Sequence, residues 1–187
     1  MAAAGGECVV GVGDCRVAVF NQEGGFASLG TYALGSCIAV IAYDWRAKAG
    51  GLLHVMLPES AMDLARAAGN PYVYADTGVP ALFRALAEIG GTRTKTRCCI
   101  AGGASMMAGS SHFEIGKKNY LAVRKSLWKL GMLVDREDVG GAETRSVRLD
   151  LETGRVDLRK GTARGTILAP ARINLIERIV QNARIDR

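Results

Sequence analysis

The sequence predicts an α+β fold, and three observations lead to it. Apolar runs of strand length and amphipathic helical stretches interleave without the regular strand-helix alternation of a doubly wound sheet. Short strands divided by turn residues, and hence hairpins, dominate both ends of the chain. Glycine occurs 24 times in 187 residues of which 49% are hydrophobic, a composition that suits short strands and tight turns around a core rather than a disordered chain. A chain of this length is expected to form a single domain.

Taken in order, Val9 to Val12 and Arg16 to Phe20 read as strands joined at Gly13-Asp14, and Asn21 to Gly25 supplies the turn that ends the second. Gly11-Val12-Gly13-Asp14 lacks the third glycine and the following helix of a dinucleotide loop, so that reading is discarded. Phe26 to Tyr32 reads as a strand that brings Thr31 near Cys37. The apolar runs 37–43 and 51–57, divided by Asp44 to Gly50, predict an antiparallel hairpin with a long loop. A symmetric register sets Val40 opposite His54 and turns Cys37 to the other face, so a Cys37–His54 pair needs Cys37 in the turn before the pleat. Gly35 and Ser36 make such a turn the expectation.

Ala61 to Ala68 reads as a short helix stopped by Gly69-Asn70-Pro71. Thr77 is expected to cap a helix from Gly78 to Ile89, with Pro80 in its first turn and Gly90-Gly91 at its end. Val79, Leu82, Phe83 and Leu86 form its apolar stripe. Arg97 to Ala101 reads as a buried strand leading into Gly102-Gly103-Ala104, and Gly109 to His112 as a loop with His112 exposed. A second helix from about Gly116 to Leu130 has Tyr120, Val123, Leu127 and Leu130 on one face and Lys117, Lys118, Arg124 and Lys125 on the other. Met132 to Val139, Arg145 to Leu151 and Arg155 to Arg159 read as strands, the last two joined by Glu152-Thr153-Gly154. Residues 1–160 are expected to form the domain. Gly161 to Gly165 reads as a linker to a basic amphipathic helix, Pro170 to Arg187, with Ile173, Ile176, Val180 and Ala183 along one side.

The formal charge of +6 is uneven, because residues 155–187 carry eight basic side chains against three acidic ones. The apolar runs fall far short of the roughly 20 residues that span a bilayer, and Met1 to Gly6 has no basic residue before its apolar stretch. The cytoplasm is therefore the expected location. Five cysteines, two of them adjacent at Cys98-Cys99, do not read as a disulfide framework. Neither C-x-x-C nor a helical histidine pair occurs, so no metal or other cofactor is expected.

Two residues stand out against this background. Cys37 follows Leu34-Gly35-Ser36 and leads into a β-branched run, which delivers a thiol at the lip of a strand. His54 interrupts the apolar run Leu52 to Leu57, closed by Pro58, where an imidazole has no obvious packing reason to be. An imidazole beside a thiol can take its proton and leave a thiolate, an economical pair for acyl transfer. Read as packing instead, a free cysteine is a small buried apolar group and a histidine in an apolar strand is a satisfied core residue.

The chain also resembles a known family. Thr31, Leu34-Gly35-Ser36-Cys37, Gly50-Gly51, His54-Val55-Met56-Leu57-Pro58, Tyr74-Ala75-Asp76-Thr77, Ala101-Gly102-Gly103-Ala104 and Ile115-Gly116-x-x-Asn119 are similar in order and spacing to the chemoreceptor glutamine deamidases, CheD. The likeness runs over about residues 9–160 and fades beyond Lys160. It implies mixed sheets packed together with helices outside, and a bacterial chemotaxis enzyme that hydrolyses receptor glutamines to glutamate. It further implies Cys37 as nucleophile, His54 as base and Thr31 as third member, with Gly102 and Gly103 at the site margin. Backbone N–H groups of the Gly35-Ser36-Cys37 turn are the expected donors to the oxyanion. Implied partners are the helical cytoplasmic part of a chemoreceptor and a CheC-type phosphatase. The rival reading is a binding module that docks on receptor or CheC without chemistry, although a scaffold needs none of Cys37, His54 and Thr31. A redox thiol switch is weaker, since no resolving cysteine stands near Cys37 in sequence.

Overall fold

Strand β4 (Ile38–Asp44) is buried along its whole length, as a strand must be when both faces of its sheet are covered. In the computed structural model, which describes residues 5–105 and 111–169 with side chains of 111–114 excepted, β4 is the centre of a three-layer arrangement. The other elements are β1 (Gly5–Val9), β2 (Cys15–Val19), β3 (Phe26–Leu34), β5 (Ala49–Val55), α1 (Leu64–Gly69), α2 (Ala75–Glu88), β6 (Thr96–Gly102), α3 (Ser111–Lys129), β7 (Arg136–Val139), β8 (Arg145–Asp150), β9 (Val156–Lys160) and β10 (Ala163–Leu168). They form two five-stranded sheets, ordered β1-β3-β8-β9-β10 and β2-β5-β4-β6-β7. Both are mixed, because β1 runs parallel to β3 and β7 parallel to β6. The α+β class with packed sheets and outer helices is what the structure shows.

Two apolar cores follow from the period-2 alternation of the second sheet. Ile38, Val40, Ala42, Leu53, Val55, Cys98 and Ile100 face α2 and α3, meeting Val79, Leu82, Leu86, Val123 and Leu127. Ala39, Ile41, Tyr43, Leu52, Cys99 and Ala101 point the other way, onto Leu29, Leu34, Val147, Leu149 and Val156 of the first sheet. The stripe expected for α2 is thus the one that packs. The Tyr43 hydroxyl crosses between sheets to the Leu151 carbonyl (3.0 Å), and its ring lies where a Cβ on Gly154 would fall, at 2.2 Å. The residue at 154 must therefore be glycine, both for that contact and for its φ of +71°.

Several boundaries depart from the sequence reading. The first strand is Gly5–Val9, not Val9 to Val12, and it pairs with β3 while β2 pairs with β5. Residues 10–14 therefore cross between the sheets instead of closing a hairpin. Helix α2 begins at Ala75, with the extended Tyr74 before it bridged to Leu57. Thr77 accordingly lies inside the first turn and donates to the Pro71 carbonyl (2.6 Å) rather than capping. Helix α3 starts at Ser111, ahead of Gly116, and Gly116 stays because a Cβ there would sit 2.7 Å from the Gly103 carbonyl oxygen. Only Arg136–Val139 of the 132–139 stretch is strand. Residues 163–168 form β10 against β9, so the linker expected over Gly161 to Gly165 is strand from Ala163 on. The helix expected over 170–187, residues 109 and 110 and the side chain of His112 lie outside the described residues.

Candidate active site

The site begins with a fault in β3. Thr31 pairs with Val147 and Leu34 with Arg145, so three steps on β3 match two on β8. This bulge is accommodated by Ala33 at φ +54°. An extra residue reverses the in-out alternation, so Thr31 and Leu34 both point inward and are buried. The strand then breaks at Gly35-Ser36, and Cys37 stands one residue ahead of β4.

His54 lies directly opposite Ala39 in the β4–β5 ladder. The symmetric register, with Val40 opposite, is therefore wrong by one residue. Cys37, two residues before Ala39, takes Ala39's face and hence the face of His54. Such diagonal neighbours lie about 7–8 Å apart between backbones, within reach of a ring. Cys37 does precede the pleat as expected, but register rather than the turn alone resolves the difficulty. Both side chains lie on the inter-sheet face, where Cys37 packs half-buried on the inter-sheet core.

The imidazole is oriented from the first sheet. Thr31 Oγ1 lies 2.8 Å from His54 Nδ1 and 2.7 Å from the Val10 carbonyl oxygen. A carbonyl only accepts, so the single hydroxyl proton goes to Val10, and Thr31 Oγ1 must accept from His54 Nδ1–H. This fixes the neutral tautomer and leaves the lone pair on Nε2, which is buried with no hydrogen-bond partner among the described residues. The backbone of His54 is held by Gly13 N–H to its carbonyl (2.9 Å) and by its own N–H to the Asp14 carbonyl (3.0 Å). The crossing segment 10–14 thus secures the histidine twice, through Thr31 and through its main chain.

The thiol turn is pinned from behind. Ala104 N–H donates to the Gly35 carbonyl (2.8 Å) and Gly103 N–H to the Cys37 carbonyl (2.7 Å). The Asn119 carboxamide donates to the Ser36 carbonyl (3.0 Å). Gly102 and Gly103 therefore form the wall behind Cys37. A Cβ on Gly102 would meet the Cys37 carbonyl oxygen at 2.2 Å, and both residues have positive φ. Since its N–H is spent on Cys37, Gly103 does not donate to a substrate oxygen. Gly35 is different, because an added Cβ would meet nothing within 4 Å among the described residues.

Burial sets the protonation states. His54 is 2% exposed, and desolvation pushes its pKa down from 6.5 to about 4. Burial raises the Cys37 thiol above its ordinary value, opposed by the hydrogen bond from its own backbone N–H. At neutral pH the resting pair is therefore a thiol and a neutral imidazole.

Of the residues that the sequence selects, the structure joins Thr31 of β3 to His54 of β5 by a hydrogen bond and sets Cys37, in the turn between β3 and β4, toward the same inter-sheet face. The sequence reading gave no role to Val10, Ala33 or Asn119. Asn119 carried a signal, being a polar residue beside the buried stripe of Tyr120, Val123 and Leu127, whereas the bulge and the Val10 carbonyl leave no mark on side-chain pattern.

Comparison with known proteins agrees with the resemblance. The CheD family, described as CheD chemotactic sensory transduction, matches residues 56–160, a stretch that starts beyond His54 and leaves Cys37 outside it. A probable chemoreceptor glutamine deamidase CheD of Solibacter usitatus is 48% identical over 154 residues, covering 82% of this chain and 89% of that protein. A probable chemoreceptor glutamine deamidase CheD 1 of Syntrophus aciditrophicus is 44% identical, covering 81% and 92%. The like-named protein of Pyrococcus horikoshii is 39% identical, covering 83% and 93%. Matched by the family over more than half of its residues and by these relatives over four fifths of them, the chain belongs to the CheD family.

Proposed function

We propose that this chain is a chemoreceptor glutamine deamidase, in which Cys37 attacks the side-chain amide of a receptor glutamine, His54 handles the protons and Thr31 holds the imidazole. The observation that carries the reading is the orientation of His54: Thr31 accepts from Nδ1–H, so the basic Nε2 has no partner among the described residues and lies on the face that Cys37 shares.

As the Sγ–C bond forms, Nε2 takes the thiol proton, and the carbonyl oxygen becomes an oxyanion. Backbone N–H groups of the Gly35-Ser36-Cys37 turn would stabilise it. The imidazolium then gives its proton to the departing nitrogen, ammonia leaves, and a thioester remains. Water deprotonated by His54 hydrolyses the thioester, yielding glutamate and the thiol. Thr31 stabilises the transient imidazolium by accepting from Nδ1–H, as the third residue of a triad does.

A cytoplasmic location and docking to a CheC-type phosphatase belong to the same proposal. In support of the former, among the described residues no helix is long and apolar enough to cross a membrane. The test is ammonia release and the mass of a receptor cytoplasmic fragment before and after incubation, each deamidation replacing an amino group by a hydroxyl. Cys37→Ala should abolish both signals. His54→Ala should lose about 10²- to 10⁴-fold in rate, Thr31→Ala should also be impaired, and His112→Ala should match the parent. Full activity in Cys37→Ala would overturn the assignment.

A further inference from the structure

We propose that Asn119 is a positioning residue of the thiol site, whose carboxamide fixes the peptide plane between Ser36 and Cys37 and thereby aims the Cys37 N–H at the reacting atoms. The inference rests on Cys37 being the nucleophile.

Asn119, from α3, is fully buried, and both protons of its Nδ2 are committed, to the Ser36 carbonyl (3.0 Å) and to the Met56 carbonyl (2.9 Å). Since both neighbours only accept, the amide cannot be turned the other way. The two anchors belong to the two halves of the site. Ser36 immediately precedes Cys37, and Met56 follows His54 by two residues.

The β4–β5 ladder ends at the pair Ile38–Val55, and the next position outward would pair Cys37 with Met56. Met56 instead gives its N–H to the Val73 carbonyl (3.0 Å). Asn119 spans the gap at the point where strand pairing stops.

A peptide unit is planar and trans, so its C=O and N–H point in opposite directions. Holding the Ser36 C=O back toward α3 directs the Cys37 N–H forward. That N–H contacts the Cys37 thiol and is the group that lowers its pKa against burial. The same N–H, on the nucleophile's own residue, would serve an oxyanion at the carbon that Sγ attacks. A hydrogen bond to the carbonyl end of a peptide also polarises its N–H end, so Asn119 strengthens this donor as well as aiming it.

The remaining atom argues against simple packing. Asn119 Oδ1 is buried with no hydrogen-bond partner among the described residues, a cost that an apolar side chain in the same place would avoid. Sequences break such local rules at functional sites.

The experiment uses the full chain with Asn119→Ala and Asn119→Asp, below their melting temperatures. It measures deamidation of a receptor cytoplasmic fragment and, by peptide mapping, the pH dependence of Cys37 alkylation by iodoacetamide. Both variants should lose about 10- to 100-fold in kcat with KM little changed, the scale of a small misplacement of reacting groups. The alkylation midpoint should move up by about one pH unit, the size of a weakened hydrogen bond to a charged group.

A purely structural role would lower the melting temperature and leave the alkylation midpoint in place, and that result overturns the proposal. A second measurement needs no change at 119. In the parent chain the Asn119 side-chain amide resonances should titrate with the Cys37 midpoint, and they should stay flat in Cys37→Ala. Flat resonances in the parent also overturn it. Active Cys37→Ala would instead refute the nucleophile assignment, whereas inactive Cys37→Ala beside parental Asn119 variants refutes this inference alone.

Discussion

At the scale of single residues, the site is governed by where one proton sits on His54. Desolvation holds the imidazole neutral in the fold, with its pKa moved from 6.5 to about 4. Between those values the unfolded chain binds a proton that the native chain refuses, so stability is present above pH 6.5 and is lost as the pH falls toward 4. At 1.36 kcal/mol per pKa unit the loss amounts to about 3 kcal/mol. Denaturation midpoints across this range should show that decline, and His54→Gln, which cannot titrate, should flatten it. An unchanged slope in His54→Gln would place the acid sensitivity elsewhere. The same shift predicts that kcat/KM keeps its base form well below pH 6, because His54 does not titrate at its ordinary value while Thr31 accepts from Nδ1.

At the scale of elements, the decisive feature is the bulge in β3, for it lets one strand present Thr31 to the histidine and then deliver the thiol turn. Ala33 holds the left-handed conformation (φ +54°) that costs a side-chain-bearing residue about 1–2 kcal/mol. Ala33→Gly should fold with equal or slightly higher stability, since relief of strain offsets the added freedom of the unfolded chain. Ala33→Val should be destabilised by about 1–2 kcal/mol, because β-branching is worst in this region, and its deamidation rate should fall as Thr31 and Cys37 lose their relative placement. Equal rates in Ala33→Val and parent would mean that the bulge does not set that placement. The sequence showed the hairpin of β4 and β5, the stripe of α2 and the β8–β9 turn, because each depends on local periodicity or turn residues. It did not show the register. Asp44 Oδ1 accepts from the Arg46 and Ala47 N–H groups (2.8 and 2.9 Å) and Lys48 takes φ +48°, which shortens the loop so that Asp44 pairs with Ala49. That local closure moves His54 opposite Ala39, a displacement that apolar runs on either side of a loop do not encode.

At the scale of the molecule, the first sheet supplies Thr31 and the second supplies His54, so the site exists only while the two sheets stay in register. Besides the Tyr43 hydroxyl, arginine side chains tie the sheets together. The buried Arg145 of β8 donates to Asp138 of β7 (3.0 and 2.8 Å), and Arg97 of β6 donates to the Ala169 carbonyl (3.1 Å) just after β10. Strand β10 pairs with β9 through residues 163–168, and Leu168 is buried in the inter-sheet core. A chain ending at Lys160 therefore loses an edge strand, a core side chain and a tie between sheets. It should melt lower and lose activity toward a small glutamine peptide and toward receptor alike. A chain ending at Ala169 keeps every described strand while dropping four arginines against Glu177 and Asp186. If those charges serve recruitment, its rate on the peptide should equal the parent's, and its rate on an acidic receptor fragment should fall at low salt and recover at high salt, since screening erases steering by exposed charge. If residues 170–187 instead cover apolar surface of the domain, the chain ending at Ala169 should melt lower and slow on both substrates at every salt concentration. Rates on the two substrates at two ionic strengths, with melting curves of both truncated chains, separate recruitment by the tail from support of the sandwich.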